Sequence, residues 1–137
     1  MALIADSGAI YGLYDRRDVA HSRLRMVIEQ ERTPIVIPTT SLGEIDYLLR
    51  SRLGNRALIQ FLADVDAGSF RVECVTEADL ARCRGLIAKF SDLDLGLSDA
   101  AVAVVADRLN TDRILTVDQR DFQLLRTARG KRFRLLP

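Results

Sequence analysis

The chain has 137 residues, 48% hydrophobic and 28% charged, and all of residues 1–137 is read as one domain with a core large enough to fold unaided. A net charge of +1 hides a skew, because 18 of the 20 basic residues are Arg. Arg forms bidentate pairs with phosphate, but a GC-rich genome favours Arg codons as well. With two cysteines, no secretory pattern and no apolar run near the roughly 18 residues of a membrane span, the sequence excludes a disulfide scaffold and a membrane protein. Cys74 and Cys83 read as reduced thiols in a cytoplasmic protein.

In chain order, residues 2–5 (ALIA) form a first short apolar strand that ends on Asp6. Residues 10–30 read as helix interrupted at 14–18, with Leu24, Val27 and Ile28 at helical spacing. Pro34 and Pro38 bracket a second strand at 35–37. A helix begins near Ser41 and buries Ile45, Leu48, Leu49 and Leu53 at steps of three and four. Another runs over 56–66 and stops at Gly68, followed by a strand over 70–75 and a helix over 77–90. The stretch SDAAVAVVADRL predicts a helix over 98–109, capped by Ser98 and buried nearly all round. Residues 113–117 and 133–136 complete the strands. Strands that alternate with helices imply an α/β fold with a mainly parallel sheet of about five strands, covered on both faces.

Open parallel sheets form their sites beyond the carboxyl ends of the strands. Asp6 ends the first strand there, and Asp118 ends the fourth in ILTVDQRDF. Glu44 and Asp99 head helices on the same side. Each acid has a structural reading: Ser41 and Glu44 fit a capping box, Asp99 suits a helix N-terminus, and Asp6, Asp118 and Asp121 suit turns. Convergence of four carboxylates is the feature those readings leave open, since like charges raise one another's pKa unless a cation offsets them. A donor set of oxygens without His or Cys favours Mg²⁺, with Mn²⁺ as a substitute.

Asp6 in a DS motif, Glu44 heading a helix, Asp99 in DA before an Ala/Val helix, and Asp118 in TVDQRDF together resemble the PIN-domain ribonucleases. More narrowly, the chain resembles the VapC-type toxins of toxin–antitoxin modules over essentially its whole length. The resemblance implies a PIN-like three-layer α/β/α sandwich. It implies Asp6, Glu44, Asp99 and Asp118 as catalytic and metal-binding residues, with Ser7 and Thr116 supplying hydroxyls and Asp121 close by. It also implies Mg²⁺-dependent endonucleolysis of a structured RNA, a tRNA or a ribosomal RNA loop, giving 5′-phosphate and 3′-hydroxyl ends and inhibiting translation. The partners it implies are a small antitoxin and a second copy of the chain, with Leu48, Leu49, Leu53 and residues 57–62 as candidate contacts, although core packing is the first reading of most of these.

Where the family has Asp-Thr-Ser, this chain has Asp6-Ser7-Gly8, so one hydroxyl is missing. Asp92 and Asp94 read as a solvated loop, and His21 as a polar helix-surface residue. Arg16, Arg17 and Arg120 are candidates to hold flanking phosphates of the RNA. The alternative is a non-catalytic metal-binding signalling or protein-interaction module of α/β fold. A receiver-like module wants a lysine at the acidic pocket, which neither Lys89 nor Lys131 offers, and a haloacid-type phosphatase wants a second Asp in place of Gly8.

Overall fold

A computed structural model describes all of residues 1–137. Five short apolar segments form one sheet: β1 (Leu3–Ala5), β2 (Ile35–Pro38), β3 (Phe70–Glu73), β4 (Arg113–Leu115) and β5 (Arg134–Leu136). The order is β3-β2-β1-β4-β5, and every pairing is parallel. Parallel neighbours need long crossovers. Here these are α1 (Ser7–Tyr14) and α2 (His21–Gln30), then α3 (Leu42–Leu53) and α4 (Asn55–Asp66), then α5 (Glu77–Lys89) and α6 (Leu97–Arg108).

The period-two alternation of the strands divides the core between the two faces. Ile4, Val36 and Ile114 point to one side and pack with α6, whose residues 100–106 are all buried. Leu3, Ala5, Ile35, Ile37 and Leu115 point to the other side, against Ile10, Leu24, Ile45, Leu49 and Phe61 of α1 to α4. The result is the three-layer α/β/α arrangement with β1 at its centre, which places Asp6 at the middle of the sheet's carboxyl edge.

Helix boundaries follow local chemistry. The helix expected from residue 10 begins at Ser7, because Asp6 caps it through a 2.8 Å bond from the Ala9 amide. The break between α1 and α2 is a tight joint in which a Cβ on Gly12 would meet Leu24 Cδ1 at 2.6 Å. The His21 ring nitrogen sits 2.9 Å from the Gly12 carbonyl, so this half-buried side chain braces the joint. Gly54 turns α3 into α4 at φ 90°, a left-handed conformation that strains other residues.

Two expected caps are corrected. Ser41 makes no capping bond and Glu44 turns elsewhere; a capping box does exist, but at Thr76 and Asp79 of α5. Ser98 is not the N-cap of α6 either, since Gly96 takes that position and Ser98 lies inside the helix. The strand expected over 113–117 stops at Leu115: the Thr116 amide still bonds the Leu136 carbonyl at 2.8 Å, but its hydroxyl turns to Asp6.

Asp79 also receives Arg108 of α6 through two 3.0 Å bonds, and Arg108 reaches Glu73 at 2.9 Å and the Cys74 carbonyl at 3.0 Å. One guanidinium therefore ties the end of β3, the head of α5 and the C-terminal end of α6 together. Asp79→Ala removes the carboxylate half of the capping box and one of the two acidic partners of Arg108, leaving Glu73. The expected loss is about 1–3 kcal/mol, measured as a lower denaturation midpoint at unchanged m-value. A loss under about 0.5 kcal/mol would show that the network contributes nothing to stability.

Candidate active site

Asp6 is a carboxylate that the sheet centre forces into a nearly dry position, at 7% exposure. Its backbone amide continues the ladder to the Leu115 carbonyl at 3.0 Å. One carboxylate oxygen caps α1, and the other accepts from the Thr116 hydroxyl, which also lies 3.1 Å from the Asp118 carbonyl. Burial pushes its pKa up to about 6, the hydrogen bonds from Thr116 and Ala9 pull it down, and the charges of Asp99 and Glu44 add to the rise. A carboxylate held like this is poised for a cation.

Asp99 stands in the first turn of the buried helix α6. Burial raises its pKa, and the charges of Asp121, Glu44 and Asp118 raise it further. Glu44, in the first turn of α3, accepts a short hydrogen bond from the buried Ser7 hydroxyl, so the two helices that start at this edge are joined across the site. Asp118 sits at the open rim with 63% side-chain exposure, paired with Arg120 at 3.0 Å, which holds its pKa below the usual carboxylate range. The charges of Asp99 and Glu44 thus bear on Asp6, and those of Asp121, Glu44 and Asp118 on Asp99, at one end of the sheet.

These acids do not close into a cage: no three of them stand close enough together to enclose an ion by themselves. Asp118 is turned toward Arg120, and Glu44 is exposed and tethered to Ser7. Mg²⁺ is compatible with such an open set, because it keeps several waters and takes one or two carboxylates rather than an all-protein shell. Asp6 and Asp99 fit that role best, being the two acids whose ionisation the surroundings oppose.

Other expected residues lie further out. Arg16 and Arg17 are exposed beyond the far end of α1, about 12 Å of helix from its N-terminus at Ser7. Arg120 is at the rim but engaged with Asp118. Asp92 and Asp94 are exposed on the loop before α6. At Gly8 a Cβ would stand 3.8 Å from the Asp6 carboxylate and 3.6 Å from Val117, so the missing family hydroxyl would border the site, and space does not demand glycine there.

Two features escape a motif-by-motif reading. The hydroxyls of Thr40, Ser41 and Ser98, near the heads of α3 and α6, are buried without partners. A second signal was legible in the sequence: RTARGKR, at 126–132, crowds four basic residues into seven positions.

No family model matches the chain. It is 30% identical over 135 residues to Ribonuclease VapC26 of Mycobacterium tuberculosis, covering 98% of this chain and 100% of that protein. The crystal structure of M. tuberculosis VapC20, described as a sarcin–ricin loop cleaving toxin, superposes with a TM-score of 0.79 at 19% identity, over 86% of this chain and 91% of that one. VapBC2 from Rickettsia felis, bound to a DNA fragment from its promoter, superposes at 0.71 and 11% identity over 100% of both chains. A toxin–antitoxin complex from Klebsiella pneumoniae gives 0.67 at 16% identity, over 89% of this chain and 90% of that one. With a full-length relative at that identity, and with Asp6, Glu44, Asp99 and Asp118 brought to one edge of a PIN-like sheet, the chain belongs to the VapC family of ribonucleases.

Proposed function

We propose that this protein is a Mg²⁺-dependent endoribonuclease toxin that cuts a structured RNA and thereby inhibits translation in the cytoplasm. The observation that carries this reading is the buried Asp6, with its pKa pushed up to about 6, facing the charges of Asp99 and Glu44 at the sheet's carboxyl edge. Bound there, Mg²⁺ or Mn²⁺ offsets the carboxylates and acts as a Lewis acid toward a phosphodiester.

The side chains divide the remaining work. Thr116 and the Ala9 amide fix the rotamer of Asp6, and Ser7 fixes Glu44. Asp99, with its raised pKa, is suited to take a proton from the attacking water, and Asp118 and Asp121 at the rim to order that water. The new bond joins water oxygen to phosphorus and the broken bond is P–O3′. The proton ends on the leaving 3′-oxygen, leaving 5′-phosphate and 3′-hydroxyl ends.

The relatives support the biological setting: VapC20 is described as cutting the sarcin–ricin loop, and the Klebsiella and Rickettsia structures are toxin–antitoxin assemblies. A cognate antitoxin and a second copy of the chain are the protein partners of this reading. Tyr47, Ile59 and Leu62, large apolar side chains 67%, 65% and 50% exposed on α3 and α4, offer surface for them. Incubating the purified protein with tRNA and with a sarcin–ricin stem-loop, in Mg²⁺ or in EDTA, and sequencing the 5′ ends tests the chemistry. Discrete 5′-phosphate ends that appear only with metal are expected. Equal cleavage in EDTA, or 5′-hydroxyl ends, would reject metal-assisted hydrolysis.

A further inference from the structure

Residues 122–137 contain five of the 20 basic residues and none of the 19 acidic ones. The structure folds the centre of this segment into a tight hairpin. Arg126 and Arg132 form an antiparallel bridge, the Thr127 amide bonds the Lys131 carbonyl at 2.9 Å, and Gly130 turns the chain at φ 81°. The hairpin is fixed to the body: the Ala128 amide bonds Asp107 at 3.0 Å, and Phe122, Leu125 and Phe133 on either side are buried in the core beneath α6.

Its cations have no acidic partners. Nine ion pairs occur in the molecule, and Arg126, Arg129, Lys131 and Arg132 take part in none of them. Arg126 braces two backbone carbonyls, those of Gln123 and Leu125, at 2.9 Å. The acids nearby are already engaged, Asp107 by Arg82 and the Ala128 amide, and Asp112 by Arg134. A cavity of about 290 Å³ between α5, α6 and the hairpin is lined by Arg82, Lys89 and Arg126 together with Asp107, and a second of about 380 Å³ by Arg129 and Lys131 together with the engaged Asp107 and Asp112.

We infer that the 126–132 hairpin and the adjoining flank of α5 form a docking surface for the phosphate backbone of the RNA, away from the phosphate that is cut. The inference rests on the nuclease reading above. Asp99 and Asp107 are eight residues apart on α6, about 12 Å along its axis, so the hairpin side of Asp107 engages phosphates several nucleotides from the acidic site. Unpaired Arg and Lys on a rigid turn suit a backbone contact, which positions the nucleic acid without reading its sequence. A protein partner favours aromatic and aliphatic anchors. Neither cavity has an aromatic residue in its lining, whereas the exposed Tyr47 and Ile59 lie on α3 and α4.

The test combines Arg129→Gln, Lys131→Gln and Arg132→Gln and leaves Arg126 in place. The probe is a fluorescein-labelled RNA stem-loop in EDTA, so that binding is read without cleavage across a salt series. Loss of three phosphate contacts should weaken binding about 10- to 100-fold at 0.1 M salt and flatten the slope of log K against log salt by about 2. The loss should be equal for unrelated stem sequences. Single-turnover cleavage at saturating protein and Mg²⁺ should keep its wild-type rate. Should the triple variant melt at a lower temperature, Lys89→Gln on α5 gives an independent reading, an expected loss of about fivefold with a slope change of about 0.7.

Wild-type affinity and slope in the variants, from a protein whose cleavage depends on Asp99, would overturn the docking surface and leave the nuclease reading standing. A wild type that neither binds nor cuts RNA removes both. Variants that keep RNA affinity but lose an acidic protein partner would make the hairpin a protein interface, and would overturn the inference as well.

Discussion

Asp99→Asn is expected to lower RNA cleavage by about 10²–10⁴-fold while leaving the domain folded. The range is that of a lost general base, and loss of a metal-binding charge acts in the same direction. Asn conserves the volume at the head of α6, so the buried run at 100–106 is undisturbed. Removing the charge also relieves repulsion, since Asp121, Glu44 and Asp118 all oppose ionisation of Asp99. The metal-free variant should therefore melt at or above the wild-type temperature even as activity collapses. Single-turnover cleavage over a Mg²⁺ titration, beside a thermal melt in EDTA, measures both. A variant within tenfold of wild type at saturating Mg²⁺ removes Asp99 from the chemistry, and a variant that melts lower assigns it a structural job.

In EDTA, Asp6→Asn is expected to raise the melting temperature by about 10 °C at pH 7.5 and by only about 2 °C near pH 4. The folded pKa of about 6 lies above the ordinary 3.8, so the folded state holds the Asp6 proton more tightly than the unfolded chain does. Below pH 3.8 the group is neutral in both states and costs nothing. As pH rises through the folded pKa the advantage is lost, and above it the buried charge carries its full penalty of about 3 kcal/mol, at 1.36 kcal/mol per pH unit. At a few degrees per kcal/mol, that penalty gives the stated shift. Asn can still accept from the Ala9 amide, so the helix cap survives.

The informative quantity is the difference between wild type and variant. Asp118 and Glu31, both with depressed pKa values, push total stability in the opposite direction as pH falls. Excess Mg²⁺ should close the gap at pH 7.5 by stabilising only the wild type. An equal gap at pH 4 and pH 7.5 would mean that Asn acts by packing rather than by charge.

Much of this site is legible in the order of residues alone. Short apolar runs ending on Asp6 and on Asp118 place acids at the carboxyl edge of a parallel sheet, and the Ala/Val helix behind Asp99 is central by composition. The strands expected over 70–75 and 113–117 are longer than those that form, because Val75 and Val117 are as apolar as strand residues and only the hydrogen-bond ladder shows where pairing stops. Ser41 and Glu44 have the spacing of a capping box, yet the glutamate bonds Ser7, 37 residues away in the chain. Local spacing is blind to a partner at that distance.

The sequence alone determined the class of the fold and which acids reach the carboxyl edge of its sheet, because strand period, helix period and the residue following each apolar run are local properties of the chain. Only the tertiary structure decided how those acids differ. The core buries Asp6 and raises its pKa against the pull of the Thr116 hydrogen bond, the same fold leaves Asp118 exposed beside Arg120 with a lowered one, and both follow apolar runs that look alike in sequence. The tertiary structure also decided that the basic residues of 126–132 stand together without acidic partners. Desolvation and charge pairing depend on which distant segments pack nearby, and no periodicity in the sequence encodes them.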